Sequence, residues 1–357
     1  MAKLPSSAIG IDVGRHSLKA VRLQRRGRRL ALTHFAVKEA PEAPAEALAE
    51  NLKALLHDLG GDAKACGIAF SSPEALVRII EQNTIPPELL RDALRINGPM
   101  LLSQDCRDWV IDCQPIVSSA PSLAPKPEAD APKEAAPANP PKQEMQHYLV
   151  GGLPRTVVQV VHEAAAKNKL PNTLLQLPPV ALFNGFEYAH PEVFNNGAFV
   201  LVDVGCRTST VIVGVKGELV LIRTIEYGGE SFKEQLILQG AANFEEVIAC
   251  MAEEEVLTVE NARVSLAELI HTVSSSIGFF EAQRDDAIPK IYVSGGLFKM
   301  AMTLKLLNEE LRLPCELWDP FASCELTLPK MRSAVLGEST ALLATAFGVA
   351  AEILKER

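Results

Sequence analysis

Apolar and polar residues alternate in three successive segments at the start of the chain, and a helical period follows. The segments AIGIDV, SLKAVRLQ and RLALTHFAV predict three strands, with Gly27 at the turn between the last two. Leucines then recur at helical spacing over residues 45–59, and Gly60 and Gly61 end the pattern. The strand GIAFSS comes next. This succession of elements predicts a mixed α/β protein.

Helical periodicity recurs in the rest of the chain. It predicts helices over residues 86–97, 155–169, 231–255, 265–284, 298–311 and 337–355. The last segment contains the apolar run ALLATAFGVAAEIL, which is short and is interrupted by Gly348 and Glu352. Because it also lacks a basic amphipathic face, we expect a buried terminal helix rather than a membrane anchor.

Residues 118–142 depart from this globular pattern. They consist mainly of Pro, Ala and charged residues, which cannot bury enough apolar surface to offset the entropy of ordering. We expect a disordered loop inserted between two strands, DWVIDCQPIV and MQHYLVGGLP, which pair with each other. A proline-rich motif that binds a partner is the alternative.

Charge and composition narrow the class of protein. The 357 residues include 35 Lys and Arg and 44 Asp and Glu, so the net charge is −9, which argues against a general nucleic-acid binder. With 48% hydrophobic and 22% charged residues, the chain can bury a large core, and its length suggests two domains. Four arginines flank Gly27, where a solvated turn is expected and contact with anionic lipid is the alternative.

Targeting and metal signals are weak. No signal-peptide pattern opens the chain, and no window approaches the roughly 18 apolar residues of a membrane span, so we expect a soluble cytoplasmic protein. The seven cysteines stand singly, without CxxC pairs or His partners at metal-ligand spacing. They are expected to be reduced thiols, most of them buried.

An internal repeat is the most informative feature. IGIDVGRHSLKAVRL near the start and VLVDVGCRTSTVIVGV in the middle share a strand, Asp-Val-Gly, two further residues, a hydroxyl residue and a second strand. The two aspartates, Asp12 and Asp203, lie 191 residues apart. Two copies of one supersecondary unit at this separation suggest two duplicated domains with a cleft between them.

The residue types in each copy suit phosphate and metal. A glycine in a tight turn allows backbone N–H groups to approach an anion, the hydroxyl adds a donor, and the carboxylate can hold Mg²⁺. No GxxxxGK[ST] motif is present, so this is not a Walker loop. One such turn is commonly an ordinary hairpin, whereas two matching copies favour a shared site for a triphosphate.

Two glycine pairs add to the pattern. Ser294-Gly295-Gly296 lies between an apolar strand and a helix, where a flat backbone surface can accept a base or ribose, although a close strand-to-helix turn is the alternative. Gly228-Gly229 opens another predicted helix, and a helix N-terminus attracts anions.

The order of these motifs along the chain resembles that of the actin-like ATPase superfamily. Within it the chain is most similar to the PilM family of type IV pilus assembly proteins, and next to FtsA of cell division. The likeness to PilM rests on EMQHYLVGGLPRTVVQVVHEAAAKNKLPNTLLQLPPVALFNGF, on LVDVGCRTSTVIVGVKGELVLIRTIEYGGESF and on IYVSGG with CELWDPF. It extends over nearly the whole chain except the proline-rich insertion.

The resemblance implies a two-lobed actin-like (ribonuclease H-like) α/β fold, with duplicated β-sheet cores, flanking helices and an inserted small subdomain. Each lobe would contribute to an ATP and Mg²⁺ site in the cleft. The implied parts are a first-lobe core at 1–65, the small subdomain at 66–168, a return to the first lobe at 169–197, the second lobe at 198–336 with a helical subdomain at about 229–287, and a C-terminal helix at 337–357 packed on the first-lobe core.

The resemblance also implies site residues. Asp12 and Asp203 would organise the metal and be the catalytic positions. The first phosphate loop would comprise Gly14, Arg15, His16, Ser17 and Lys19, and the second Gly205, Cys206, Arg207 and Thr208. Gly295 and Gly296 would lie under the adenosine, with Gly228, Gly229 and Lys233 nearby. Cys206 and Arg207 stand where many relatives carry further glycines. Their side chains would narrow the pocket, or Arg207 would pair with phosphate.

The implied function is a nucleotide-responsive scaffold with weak ATPase activity at most. It would bind the cytoplasmic N-terminal segment of a PilN-like inner-membrane protein, in a groove involving the small subdomain, and reach the membrane through that partner without inserting into it. Self-association is left open. The alternatives are an FtsA-like scaffold and a small-molecule kinase, for which Asp105, Asp108 and Asp112 are the candidate carboxylates, although solvated surface charges are the preferred interpretation.

Overall fold

The structure is a computed structural model that describes residues 5–40, 47–60, 64–117, 144–170, 173–239, 256–284 and 286–355. The predicted loop over 118–142 lies outside the described residues, as does the part of the predicted 231–255 helix beyond residue 239. The strands are β1 Ser7–Val13, β2 Ser17–Arg26, β3 Arg29–Glu39, β4 Ala65–Phe70, β5 Leu76–Asn83, β6 Trp109–Pro115, β7 Met145–Pro154, β8 Thr173–Gln176, β9 Ala198–Val204, β10 Ser209–Val215, β11 Glu218–Ile225, β12 Ile291–Gly295, β13 Cys315–Leu317 and β14 Glu325–Leu326.

The helices lie between and after these strands. They are α1 Leu48–Leu59, α2 Pro87–Leu101, α3 Arg155–Lys167, α4 Pro178–Ala189, α5 Pro191–Asn196, α6 Gly229–Leu238, α7 Val256–Ser265, α8 Ala267–Gln283, α9 Ala301–Leu311, α10 Lys330–Ser339 and α11 Ala344–Leu354. Short 3-10 helices span Gly296–Lys299 and Thr340–Leu342.

Two sheets repeat the same topology. The first has the order β14-β3-β2-β1-β4-β8 and the second the order β11-β10-β9-β12-β13. In each sheet three consecutive strands form an antiparallel meander, and the first strand of the meander pairs on its other side with a parallel strand. Strand β1 therefore corresponds to β9, and β4 corresponds to β12.

A third, small sheet has the order β5-β7-β6. Strands β6 and β7 pair antiparallel from Trp109↔Pro154 to Pro115↔Tyr148, so the predicted pairing of the two segments around the insertion is confirmed. Helix α2 covers one face of this sheet through Leu90 and Leu94, which are buried.

Helices α4 and α11 join the two large sheets. One hydrophobic cluster contains side chains from both sheets and from both helices, and its members include Leu23, Leu32, Leu182, Phe186, Phe199, Tyr292 and Phe347. The ring of Phe186 lies 4.7 Å from that of Phe199 and 4.8 Å from that of Tyr292, as centroid distances. A buried aromatic side chain of this kind contributes about 2–3 kcal/mol of transfer free energy.

Glycines allow these helices to come close. A Cβ atom added to Gly348 of α11 would lie 1.8 Å from the backbone oxygen of Ala181 in α4, and one added to Gly10 of β1 would lie 2.0 Å from that of Ala346 in α11. Since real side chains cannot approach to such distances, α11 fits between β1 and α4 only with glycine at these positions.

The end of the chain differs from its prediction. The prediction of a single helix over 337–355 is wrong, because α10 begins at Lys330 and the helix axis bends by 95° between 330–342 and 344–354. The bend directs the apolar part into the core, where nine of its eleven residues are buried, which confirms the expected buried terminal helix. The helices α4 and α5, over 178–196, were not among the predicted helices.

Among the described residues, no single helix is long and apolar enough to cross a membrane. The bent pair 330–342 and 344–354 reaches that length and apolar content only when its two helices are taken together. Of the described cysteines, Cys66, Cys106, Cys113 and Cys315 are buried and unpaired thiols, as expected.

The close crossing of α4 and α11 predicts that Gly348→Ala destabilises the protein by about 2–4 kcal/mol, because the new methyl group must displace backbone. Gly278→Ala, in α8, is the matched control, since its Cβ would meet nothing within 4 Å. It should be neutral or stabilising by about 0.5–1 kcal/mol. Urea unfolding measures both variants, and equal stabilities would contradict the packing described.

Candidate functional site

The two copies of the repeat form matching turns. In the first, the N–H of Gly14 donates to the backbone oxygen of Ser17 at 3.2 Å, and in the second the N–H of Gly205 donates to that of Thr208 at 3.0 Å. The flanking strand pairs correspond as well, since Val13 faces Leu18 and Val204 faces Ser209. Residues 191 apart thus occupy equivalent places in the two sheets.

Each turn is crowded around the glycine at its first position. A Cβ on Gly14 would lie 2.9 Å from Lys19 Nζ and 3.0 Å from the oxygen of Ser17. A Cβ on Gly205 would lie 2.9 Å from the oxygen of Thr208. The absence of side chains here leaves the backbone of both turns accessible to a ligand.

Asp12 and Lys19 form an ion pair beneath the first turn. They are cross-strand partners in the β1–β2 pairing, so both side chains project from the same face of the sheet. Lys19 Nζ lies 3.0 Å from Asp12 Oδ2, and the two side chains are only 13% and 10% exposed. The Asp12 carboxylate therefore has an adjacent cation as its partner in a site with little solvent.

Asp203 lies beneath the second turn. Strand register places it beside Ser294 of β12, whose hydroxyl donates to Asp203 Oδ1 at 2.6 Å. Burial raises the pKa of Asp203, and the negative charge of Asp12 raises it further, whereas the Ser294 hydrogen bond and the charge of Lys19 oppose the shift. Asp12, Lys19 and Asp203 thus interact across the space between the two turns.

The glycine pair after β12 also borders this space. Gly295 has φ +105°, and a Cβ there would lie 2.1 Å from the oxygen of Val204. Only glycine fits, because the backbone passes directly against β9. Gly296 follows at the start of a 3-10 helix and is exposed. The structure therefore supports the close-turn interpretation of the pair, and its exposed second glycine leaves a surface for a ligand.

Helix α6 begins on top of the second turn. The N–H of Gly229 donates to the oxygen of Gly205 at 3.0 Å, and the N–H of Glu230 to that of Cys206 at 2.9 Å. A Cβ on Gly228 would lie 2.4 Å from the oxygen of Cys206. These two N–H groups therefore fix the start of the helix on the backbone of the second turn.

A charged cluster sits on the second turn. Arg207 Nε donates to Glu230 Oε2 at 2.5 Å, and the Cys206 thiol donates to Glu230 Oε1 at 3.3 Å. The Arg207 hydrogen bond lowers the pKa of Glu230, and burial together with the Glu230 carboxylate raises the pKa of Cys206 to about 11. Glu230 was not among the predicted site residues, because no sequence pattern links it to Arg207, which lies 23 positions earlier.

The remaining predicted residues lie around these groups. Ser17 is buried within the first turn, whereas His16 and Thr208 are exposed at the two turns. Arg15 is close enough to act electrostatically on Cys206 and Glu230. Lys233 is exposed about one turn along α6 from Gly229.

Comparisons with known proteins relate the chain to one family. Residues 181–353, slightly less than half of the chain, match the model of the family of type IV pilus assembly protein PilM. The chain is PilM-like. A comparison with curated protein sequences found no match.

Solved structures extend the PilM likeness over the whole fold. A PilM–PilN type IV pilus biogenesis complex matches with a TM-score of 0.76 and 21% identity, over 98% of this chain and 99% of that chain. Ethanolamine utilization protein EutJ from Carboxydothermus hydrogenoformans matches with a TM-score of 0.52 and 16% identity, over 98% and 91% of the two chains. The expected actin-like α/β fold is thereby confirmed for this PilM-like chain.

The raised pKa of Asp203 predicts that Asp203→Asn stabilises the ligand-free PilM-like chain. A carboxyl group whose folded pKa is raised stabilises the fold below its unfolded pKa and loses that contribution as pH rises through the folded value. Above its folded pKa the ionised, desolvated group therefore costs stability, and the variant should gain about 1–3 kcal/mol there. Urea unfolding between pH 4 and 8 measures the gain, which should grow with pH.

The control is Asp286→Asn, which removes an exposed partner of Lys216 and should change stability by less than about 1 kcal/mol. A loss of stability in Asp203→Asn at pH 7 would contradict the account of the buried carboxylate.

Proposed function

We propose that this PilM-like chain binds ATP with Mg²⁺ between the turns 14–17 and 205–208 and acts as a nucleotide-responsive scaffold in type IV pilus or related secretion assembly. The observation that carries the proposal is the convergence of Asp12, Lys19 and Asp203 between two glycine turns. The match of residues 181–353 to the PilM family supports type IV pilus assembly as the process in which the scaffold acts.

The residues present fit a magnesium ion that is shared with phosphate. Among the described residues, no group of three or more His, Cys, Asp or Glu side chains could hold a metal by itself. Mg²⁺ commonly binds one or two carboxylates together with phosphate oxygens and water, which suits the pair Asp12 and Asp203. When bound, the ion would neutralise phosphate charge.

The backbone of the two turns would bind the phosphates. Gly14 and Gly205 carry no side chain that would cover the backbone of the turns, and Lys19 adds a positive charge. Gly295 and Gly296 would lie under the adenosine, with Gly228, Gly229 and Lys233 at the border of the site.

Binding without efficient hydrolysis is the expected activity. Of the described carboxylates in the cleft, Asp12 is paired with Lys19, Asp203 accepts from Ser294, and Glu230 accepts from Arg207. A general base needs a carboxylate within reach of the attacking water and free to accept its proton. Asp12 and Asp203, which would also hold the metal, are engaged elsewhere, which supports slow turnover at most.

No observation favours a small-molecule kinase. Asp105 is bound by Arg107, whose hydrogen bonds lower the pKa of its carboxyl to about 2, and Asp112 pairs with Arg91 at 2.9 Å. A carboxylate held ionised by an arginine is a poor acceptor for the proton of a substrate hydroxyl.

A groove next to the small sheet suits the partner segment. It lies between β6 and α3, where Val110 and Val158 form an apolar floor and Arg155, His162 and Glu163 form a polar border. Helix α3 also packs on the first sheet, since Val161, Ala164 and Ala165 belong to the hydrophobic cluster around α1. A movement between the small sheet and the first sheet would therefore change the groove.

We infer that this groove takes the N-terminal segment of a PilN-like inner-membrane protein. A lining that combines apolar and charged side chains suits a short amphipathic peptide. The solved structure with TM-score 0.76 is a complex of PilM with PilN, which supports this choice of partner. Nucleotide would alter peptide affinity if ATP favours one arrangement of the sheets over another.

Calorimetry with Mg·ATP tests the nucleotide site. We expect saturable binding by the wild type and a loss of affinity of about tenfold or more in Asp12→Asn and Asp203→Asn, because each removes a charge that faces the metal. Asp112→Asn, which removes a surface partner of Arg91, is the control and should bind as the wild type does. Wild-type protein that binds no ATP, or variants that bind normally, would refute the site.

Fluorescence anisotropy with a synthetic N-terminal peptide of the PilN-like protein tests the groove. Val158→Glu places a charge on its apolar floor and should weaken binding by about tenfold or more. Val335→Glu changes an exposed valine of α10 and should leave binding intact. Equal affinities for the two variants would mean that the peptide binds elsewhere.

A further inference from the structure

Glu230 holds the second turn through three contacts. Its carboxylate accepts from Arg207 Nε at 2.5 Å and from the Cys206 thiol at 3.3 Å, and its own N–H donates to the oxygen of Cys206 at 2.9 Å. The backbone contact fixes the residue over the turn, and the side chain then reaches back to the two residues that follow Gly205.

Positive charge reaches this carboxylate from both turns. The pKa of Glu230 is lowered mainly by the hydrogen bond from Arg207, and the charge of Arg15 in the first turn lowers it further. Arg15 also opposes the rise in the pKa of Cys206. Arg207 contacts the carboxylate directly, and Arg15 acts on it only through its charge.

A phosphate group would bind the same N–H donors of Arg207. Arginine binds carboxylate and phosphate oxygens through the same planar set of N–H groups, with charge-assisted hydrogen bonds of similar length. A ligand phosphate that binds at the Nε of Arg207 would therefore take over the bond that Glu230 now makes. The carboxylate left behind would lie near a second negative group, which adds repulsion.

We propose that Glu230 is a built-in competitor of phosphate, which occupies Arg207 in the ligand-free chain and is displaced when a nucleotide binds. This inference rests on the proposed nucleotide site. It makes Glu230 a specificity-determining residue, because only a ligand with enough negative charge displaces it. Adenosine, which has no phosphate, leaves the Arg207–Glu230 pair intact.

The first test compares Glu230→Gln with the wild type by calorimetry. The glutamine keeps the shape of the side chain and removes its charge, so affinity for Mg·ATP should rise about five- to tenfold, whereas affinity for adenosine should not change. Glu234→Gln, on an exposed position of the same helix, should bind as the wild type does. An unchanged or weaker affinity for Mg·ATP, or an equal gain for adenosine, would overturn the proposal.

A second test needs no nucleotide. Removal of the Glu230 charge should make the Cys206 thiol more acidic, so iodoacetamide should modify the Cys206 peptide several-fold faster at pH 8 in Glu230→Gln than in the wild type, as measured by mass spectrometry. An unchanged rate would show that the carboxylate does not control the turn and would overturn the proposal.

The outcomes separate this inference from the function on which it rests. If the wild type binds Mg·ATP and Glu230→Gln gains nothing, the competitor role fails and the nucleotide site stands. If neither protein binds Mg·ATP, the proposed function fails and the competitor role fails with it, whatever the rate of alkylation.

Discussion

The contact between α4 and α11 is the constraint on which the rest of the molecule depends. These helices join two sheets that share a five-strand topology, and they approach each other closely enough that a methyl group at Gly348 would overlap the backbone of Ala181. The matching ends of β1 and β9 then carry their turns toward a common space. Interaction between Asp12 and Asp203 across that space is a consequence of this packing.

The candidate site concentrates charge where the fold provides little solvent. Asp12 is compensated by Lys19, whereas Asp203 has a hydroxyl partner and a raised pKa. Buried groups with perturbed pKa values cluster at functional sites, since binding and catalysis need charges that folding alone would exclude. The cost of the ionised Asp203 is the kind of stability loss that a bound cation would relieve.

Charge compensation differs between the two turns. The first turn has its cation beneath it, in Lys19, whereas the second has its cation on top, in Arg207, with Glu230 as counter-ion. At the position of Lys19, the second copy has Thr210, which pairs with Asp203 in the strand register. The duplicated turns therefore share a backbone geometry but have diverged in electrostatics, and a ligand between them would meet two different surfaces.

Local patterns predicted much of this arrangement. The repeat predicted the duplicated turns, and the short turn between Asp12 and Lys19 makes them cross-strand neighbours. The pairing of β6 with β7 followed from the alternation of their residues. The bend before α11 and the Arg207–Glu230 pair could not be predicted, because both depend on packing between segments distant in sequence. The subdomain bounds and the disordered insertion stay predictions.

A crystal structure of the chain with Mg²⁺ and a non-hydrolysable ATP analogue would decide whether one nucleotide binds between the two turns. We expect phosphate oxygens in contact with backbone N–H groups of both turns, and Asp12 and Asp203 on either side of the metal. A nucleotide bound to one turn alone, or outside the space between the sheets, would contradict it.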